Sequence, residues 1–171
     1  MPHRDVLQLG NPLLRQISAP VEDFESADLK SLIRDLDDTL AEFVRVHGFG
    51  RGIAAPQIGL LAHIIFIRMT PSGFCGPMIN PKIVWESSER KESWDNCFSF
   101  PDLVVQVSRA IKIKVEYQDH KGTLCTIDAS GGLSELLQHE IDHLDGILAV
   151  DRALSAQSFM TRSEWDRQQP V

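Results

Sequence analysis

Residues 136–146 read LLQHEIDHLDG, with two histidines four positions apart and a glutamate directly after the first. Leu133, Leu136, Leu137, Glu140 and Leu144 recur at helical spacing and Gly146 supplies a stop, so the segment is expected to be a helix. Positions i and i+4 of a helix lie one above the other, so His139 and His143 point the same way and can present two nitrogens to one ion. Glu140, about 100° further round, can approach a water bound to that ion without ligating it. The apolar neighbours place this face inside, where unpaired polar groups are costly and a metal would resolve the cost. His-Glu-x-x-His on a helix is the pattern of zinc hydrolases, in which the metal lowers the pKa of bound water and the glutamate takes its proton. The competing reading is two surface histidines on an acidic helix.

The rest of the chain dictates the elements that can surround such a helix. In SADLKSLIRDLDDTLAEFVRVHG, Leu29, Leu32, Ile33, Leu36, Leu40, Phe43 and Val44 mark one amphipathic helix, with Ser26 or Asp28 as a cap and Gly48 as a stop. The stretches 63–69, 76–85, 103–107, 111–117 and 123–127 alternate or are β-branched, and Gly, Pro, Asn and Asp separate them, so they read as strands. QDHKG at 118–122 is short enough only for an antiparallel hairpin. The expected class is α+β.

With 171 residues the chain fits one domain, 1–171, with a core of its own. A formal charge of −7 with scattered basic residues argues against a nucleic-acid surface. No apolar run at the N-terminus suits a signal peptide or a membrane span, so a cytoplasmic protein is expected. Cys75, Cys97 and Cys125 are an odd number for a disulfide framework, leaving thiols as metal ligands or buried filler.

Two histidines leave a metal incompletely ligated, and the third ligand separates the enzyme classes. The extended pattern His-Glu-x-x-His-x-x-Gly-x-x-His keeps Gly146 but meets Ala149 at its last position. A thermolysin-like site would use a glutamate some twenty residues on; Glu164 has roughly that spacing but sits in a polar tail. Upstream, Cys97 in the turn-like segment WDNCFSFPD is the better candidate.

Taken with GRGIAAPQIG at 50–59, these segments resemble, in order and spacing, the three motifs of the peptide deformylases, and the likeness runs from LQLGNPLLRQ to ILAVDR. The resemblance implies antiparallel sheets packed around a central HExxH helix, and removal of the formyl group from new N-formylmethionyl polypeptides with release of formate. It implies that Cys97, His139 and His143 bind one divalent metal, natively iron(II), with zinc, nickel or cobalt as alternatives. Glu140 becomes general base and acid, while the Gln57 amide and the Phe98 backbone N–H bind the oxygen of the tetrahedral intermediate. Gly50, Gly52, Ile53, Asn96, Glu135 and Leu136 fall on the substrate side. Formylated nascent chains are the implied partners, and a ribosome contact is known for some bacterial relatives.

The second motif departs from its usual Glu-Gly-Cys-Leu-Ser and reads Asp95-Asn96-Cys97-Phe98-Ser99. Glu135, one helical turn before His139, puts an acid toward the region where deformylases hold the first side chain of the substrate. Two readings are open: the carboxylate pairs with an arginine such as Arg51 or Arg109, or the substrate has changed. An altered-substrate or weakly active relative that binds N-blocked peptides is thus the alternative to a deformylase, with a metallopeptidase behind both.

Overall fold

A computed structural model describes residues 3–69 and 73–169. Its first long element is the helix α1, Ala27–His47. The Ser26 hydroxyl accepts a hydrogen bond from the Leu29 N–H at 3.2 Å, and Gly48 ends the helix in the left-handed region at φ 77°. Leu29, Leu32, Leu36, Leu40 and Phe43 form its buried stripe.

The strands β1 (Gly52–Ala54), β2 (Ile64–Arg68), β3 (Cys75–Glu86), β6 (Lys112–Gln118) and β7 (Leu124–Ser130) make one sheet in the order β1-β2-β3-β6-β7. A second sheet, β4-β5-β8, is built from Arg90–Asn96, Leu103–Ala110 and Phe159–Thr161. Neighbouring strands in both sheets run antiparallel. The protein is thus of mixed α/β class with antiparallel sheets, and the tight connection after β6 is the expected hairpin.

Helix α2, Gly132–Leu144, buries ten of its thirteen residues, so water reaches it along very little of its length. One wall packs Leu136, Leu137, Ile141 and Leu144 against Ile65, Ile67, Met78 and Val115 of the larger sheet. Burying this much of a polar-bearing helix demands partners. Gln138 supplies two of them, accepting from the Ala110 N–H at 3.0 Å and donating to the Ala110 carbonyl at 2.9 Å. Ser134 donates to the same carbonyl at 2.8 Å, so the end of β5 is pinned to α2 and carries β4 with it.

Two segments differ from the reading of the sequence. Residues 90–96, RKESWDN, form a strand paired with β5 along their full length, and the turn is confined to residues 97–102. Charged residues and few apolar ones hide its period, because this strand covers the site rather than lining a core. The polar C-terminal stretch holds β8, paired to Leu103–Val105, and the short helix α3, Arg162–Gln168. Backbone pairing to an existing edge, not side-chain burial, orders it.

Candidate active site

Cys97 leaves the end of β4 at the point where α2 passes, and the side-chain donors of Cys97, His139 and His143 all lie within 4.8 Å of one another. Cys97 Sγ is 3.2 Å from His143 Nε2, and all three residues are buried. The stacking of i and i+4 aligns the histidines, whose ring centroids are 5.0 Å apart.

The imidazole of His139 is oriented from behind. Asp95 Oδ2 stands 2.9 Å from His139 Nδ1 and also accepts from the Arg109 guanidinium at 3.0 Å. A carboxylate at Nδ1 selects the tautomer that turns the Nε2 lone pair toward the other two donors. Burial pushes Asp95 up, but His139 and Arg109 outweigh it and hold the carboxyl at about 2. Burial likewise pushes His139 down and is outweighed by Asp95 and Cys97, whereas burial and the neighbouring His139 both depress His143. Arg109 spans the structure from Asp95 to Asp142, donating to the latter at 2.8 Å, and Arg152 donates to the other Asp142 oxygen at 2.8 Å. Asp142 therefore ties the middle of α2 to both arginines.

This donor set fits a borderline divalent cation. One thiol and two imidazoles converge, the second nitrogen of His139 is engaged by a carboxylate, and all three donor residues are buried. Beside it Glu140 Oε2 is buried without a hydrogen-bond partner among the described residues. Burial raises the Glu140 carboxyl to about 7, near enough to neutrality to take and return a proton. Gly52 is what makes room for it: a Cβ there would lie 2.6 Å from Glu140 Oε1.

Gln57 belongs to the 3-10 turn Ala55–Ile58. Its Oε1 accepts from the Ala54 N–H at 2.9 Å, which fixes the amide and leaves Nε2 as donor toward Ser99 Oγ at 3.3 Å and Cys97 Sγ at 3.5 Å. The Phe98 ring turns away from this cluster and stacks on Phe43 of α1, centroids 3.6 Å apart and planes 13° off parallel. Gly50, at φ +133°, lies under that ring, and a Cβ would be 2.3 Å from it. Both glycines of GRGIAA thus accommodate the protein's own side chains, a more specific reason than general room for a substrate backbone.

Of the residues expected on the substrate side, Gly50, Gly52, Asn96, Glu135 and Leu136 line one cavity of about 420 Å³ with His139 and Glu140. The Ile53 side chain does not join them; it is wholly buried against α1, although its backbone lies on β1, an edge strand. Glu135 pairs with Lys91 at 3.3 Å, not with Arg51 or Arg109. Glu164 is engaged by Arg167 at 3.1 Å on the exposed α3, outside the metal-donor cluster, which removes the thermolysin-like reading. Cys75 is exposed and Cys125 half-buried against the core, so neither joins the donors. Reading the sequence misses the parts that Arg109 and Asp142 play at the site. The signal for Arg109 is its parity with Val105 and Val107, which puts a guanidinium on the buried face of β5.

The comparisons with known proteins agree with this geometry. The family model for polypeptide deformylase matches residues 3–159. Peptide deformylase 2 of Nostoc sp. is 38% identical over 168 residues, covering 94% of this chain and 91% of the relative. Peptide deformylase of Bartonella tribocorum is 37% identical, covering 88% and 84% respectively. Among solved structures, a peptide deformylase from Legionella pneumophila superposes with a TM-score of 0.83 at 34% identity, covering 99% of this chain and 100% of that one. A class I type b peptide deformylase from Acinetobacter baumannii, bound to Met-Ala-Ser, superposes with a TM-score of 0.80 at 34% identity, covering 88% and 98%.

Proposed function

The chain belongs to the polypeptide deformylase family, and from that premise we propose how its residues divide the removal of an N-formyl group from a polypeptide. Cys97, His139 and His143 hold one divalent cation, for which iron(II) is the proposed native choice and zinc, nickel or cobalt are alternatives of similar softness. That cation, when bound, supplies Lewis-acid polarisation of the formyl oxygen and acidifies a water. Asp95 keeps His139 in the ligating tautomer. Glu140 takes a proton from the attacking water at its unpartnered carboxylate oxygen. Attack makes the formyl carbon tetrahedral, and the charge that develops on its oxygen is met by the Gln57 Nε2 amide and the Phe98 backbone N–H. The C–N bond then breaks, Glu140 returns its proton to the leaving amine, and formate departs.

An extended peptide can reach this point along β1, whose outer edge pairs with no strand among the described residues, by adding as a further strand. Gly52 and Ile53 then bind through backbone groups, which suits the burial of the Ile53 side chain. Nascent formylated chains are the proposed substrates, met in the cytoplasm by a single domain comprising the whole chain.

The observation that carries this reading is the convergence of one thiol and two imidazoles beside a buried carboxyl held near 7. Formate release from a panel of formyl dipeptides, abolished by chelation and restored by metal, tests it. A metal-replete protein that releases formate from no member of the panel, or that cuts internal peptide bonds instead, overturns it.

A further inference from the structure

The loop that joins α1 to β1 carries part of the cavity wall on very little backbone. Gly48 and Gly50 stand at φ +77° and +133°, and Phe49 between them lines the cavity. Among the described residues neither Phe49 nor Gly50 makes a backbone hydrogen bond. Two glycines at positive φ give such a segment wide conformational freedom, so its position depends on side-chain contacts. The Phe49 ring supplies them. It meets Phe43 of α1 edge-on with centroids 5.5 Å apart, and Phe98 with centroids 6.3 Å apart. Over its face lies the guanidinium of Arg162, with Cζ 4.3 Å from the ring centroid.

Arg162 opens α3 and is itself well anchored. Its backbone N–H donates to the Asp102 carbonyl at 2.8 Å, and β8 directly before it pairs with β5 at Leu103–Val105. Its side chain is 24% exposed, donates from Nε to Asp166 at 2.9 Å, and lies over a second ring, that of Trp165, at 5.2 Å. Nη1 is buried without a hydrogen-bond partner among the described residues. A guanidinium that gives up water there and gains no acceptor is held by the aromatic faces, and a desolvated cation binds such a face most strongly. The family model ends at residue 159, just short of this segment.

We propose that Arg162 is a positioning residue for substrate binding: the C-terminal segment clasps Phe49 and so fixes the loop that leads into the β1 edge where the peptide adds. The proposal rests on the deformylase reading. A loop without the clasp is ordered only as the substrate arrives, and that cost falls on binding. The chemical step is left alone, because the metal donors and Glu140 sit on α2 and at the end of β4, while the Phe98 ring keeps its own stack on Phe43.

The experiment measures steady-state formate release from formyl-Met-Ala-Ser by the metal-replete protein. Alongside it, hydrogen exchange in the peptide-free protein is followed at the Arg68 amide, which donates to the Arg51 carbonyl at 2.7 Å. Arg162→Met should raise KM about three- to tenfold, the scale of one cation–π contact, with kcat within about twofold and faster exchange at Arg68. Arg162→Lys keeps a cation over the ring and should recover most of the loss. In a Phe49→Leu background Arg162→Met should add nothing, since two residues acting through one contact are not additive. Should Arg162→Met fail to fold, Trp165→Leu, which leaves the guanidinium but removes its second ring, should raise KM about twofold in its place. An unchanged KM, a fall in kcat as large as the rise in KM, or an equal rise with and without Phe49 overturns the proposal. Absence of formate sinks the deformylase reading alone, because exchange at Arg68 still reads the clasp.

Discussion

The two walls of the active-site cavity are built on different terms. On the metal side Asp95, Arg109, His139 and Asp142 are each held by a charged neighbour at 3.0 Å or less, in a region where side chains are almost wholly shielded from water. On the substrate side Arg51 is exposed and unpartnered among the described residues, and Glu135 is engaged only by a Lys91 whose side chain is 63% exposed. Charges on the first wall interact strongly and leave large penalties when broken; charges on the second are screened and nearly independent of folding. A site built this way can change side chains on its second wall without unsettling the first, because those side chains bear little on stability.

The sharpest contrast within the metal side is between chemistry and ligation. Glu140→Gln keeps a hydrogen-bonding side chain of the same shape but no base, so kcat should fall by about 10²–10⁴ while metal content stays full. Cys97→Ala should lose the metal as well as the activity, whereas Cys75→Ala and Cys125→Ala lose neither. Elemental analysis beside formate-release kinetics separates the two, and substantial turnover by metal-replete Glu140→Gln would remove Glu140 from its role.

Arg109→Met tests the idea that the metal-side charges act as one buried unit. Removing the guanidinium leaves Asp95 and Asp142 shielded without that partner, and breaking such a pair costs about 3–5 kcal/mol. Denaturant unfolding of the metal-free protein is the cleanest measure, since ligand binding then adds nothing to the folded state. A loss below about 1 kcal/mol would mean that Arg152, still bound to Asp142, and water compensate, and the two walls would no longer differ in kind.

How much of the molecule is legible in the chain divides along the same line. The helical period around His139 and Glu140 and the single plausible thiol at Cys97 point to the donor trio, because metal ligation restricts residue type and spacing at once. The strand carrying Asp95 reads as a turn, since RKESWDN owes its pairing to β5 rather than to a pattern of its own. Arg109 enters the sequence reading only as a partner for Glu135, because which acids a buried arginine meets is set by how α2 crosses β5, a tertiary fact. Glu135 stands out as anomalous, but the partner that explains it, Lys91, lies 44 residues away on that unrecognised strand. Long-range pairings between charged residues leave no periodic trace.

Lys91→Ala is the smallest expected effect and the one that most sharpens the comparison. The Lys91–Glu135 pair joins a side chain 63% exposed to one 23% exposed at 3.3 Å, so its Coulomb gain is screened and offset by ordering a long side chain. Its loss should change stability by no more than about 0.5 kcal/mol, a shift of roughly 1–2 °C in the thermal midpoint of a chain this size. The consequence for the cavity is larger than that for the fold. Glu135 without Lys91 carries an uncompensated negative charge on the same cavity wall as Arg51, free to compete for the guanidinium. The kcat/KM for formyl-Met-Ala should therefore fall several-fold while the unfolding transition barely moves. If Lys91→Ala instead lowered the midpoint as much as Arg109→Met, the substrate-side charges would be structural after all, and the freedom assigned to that wall would be wrong.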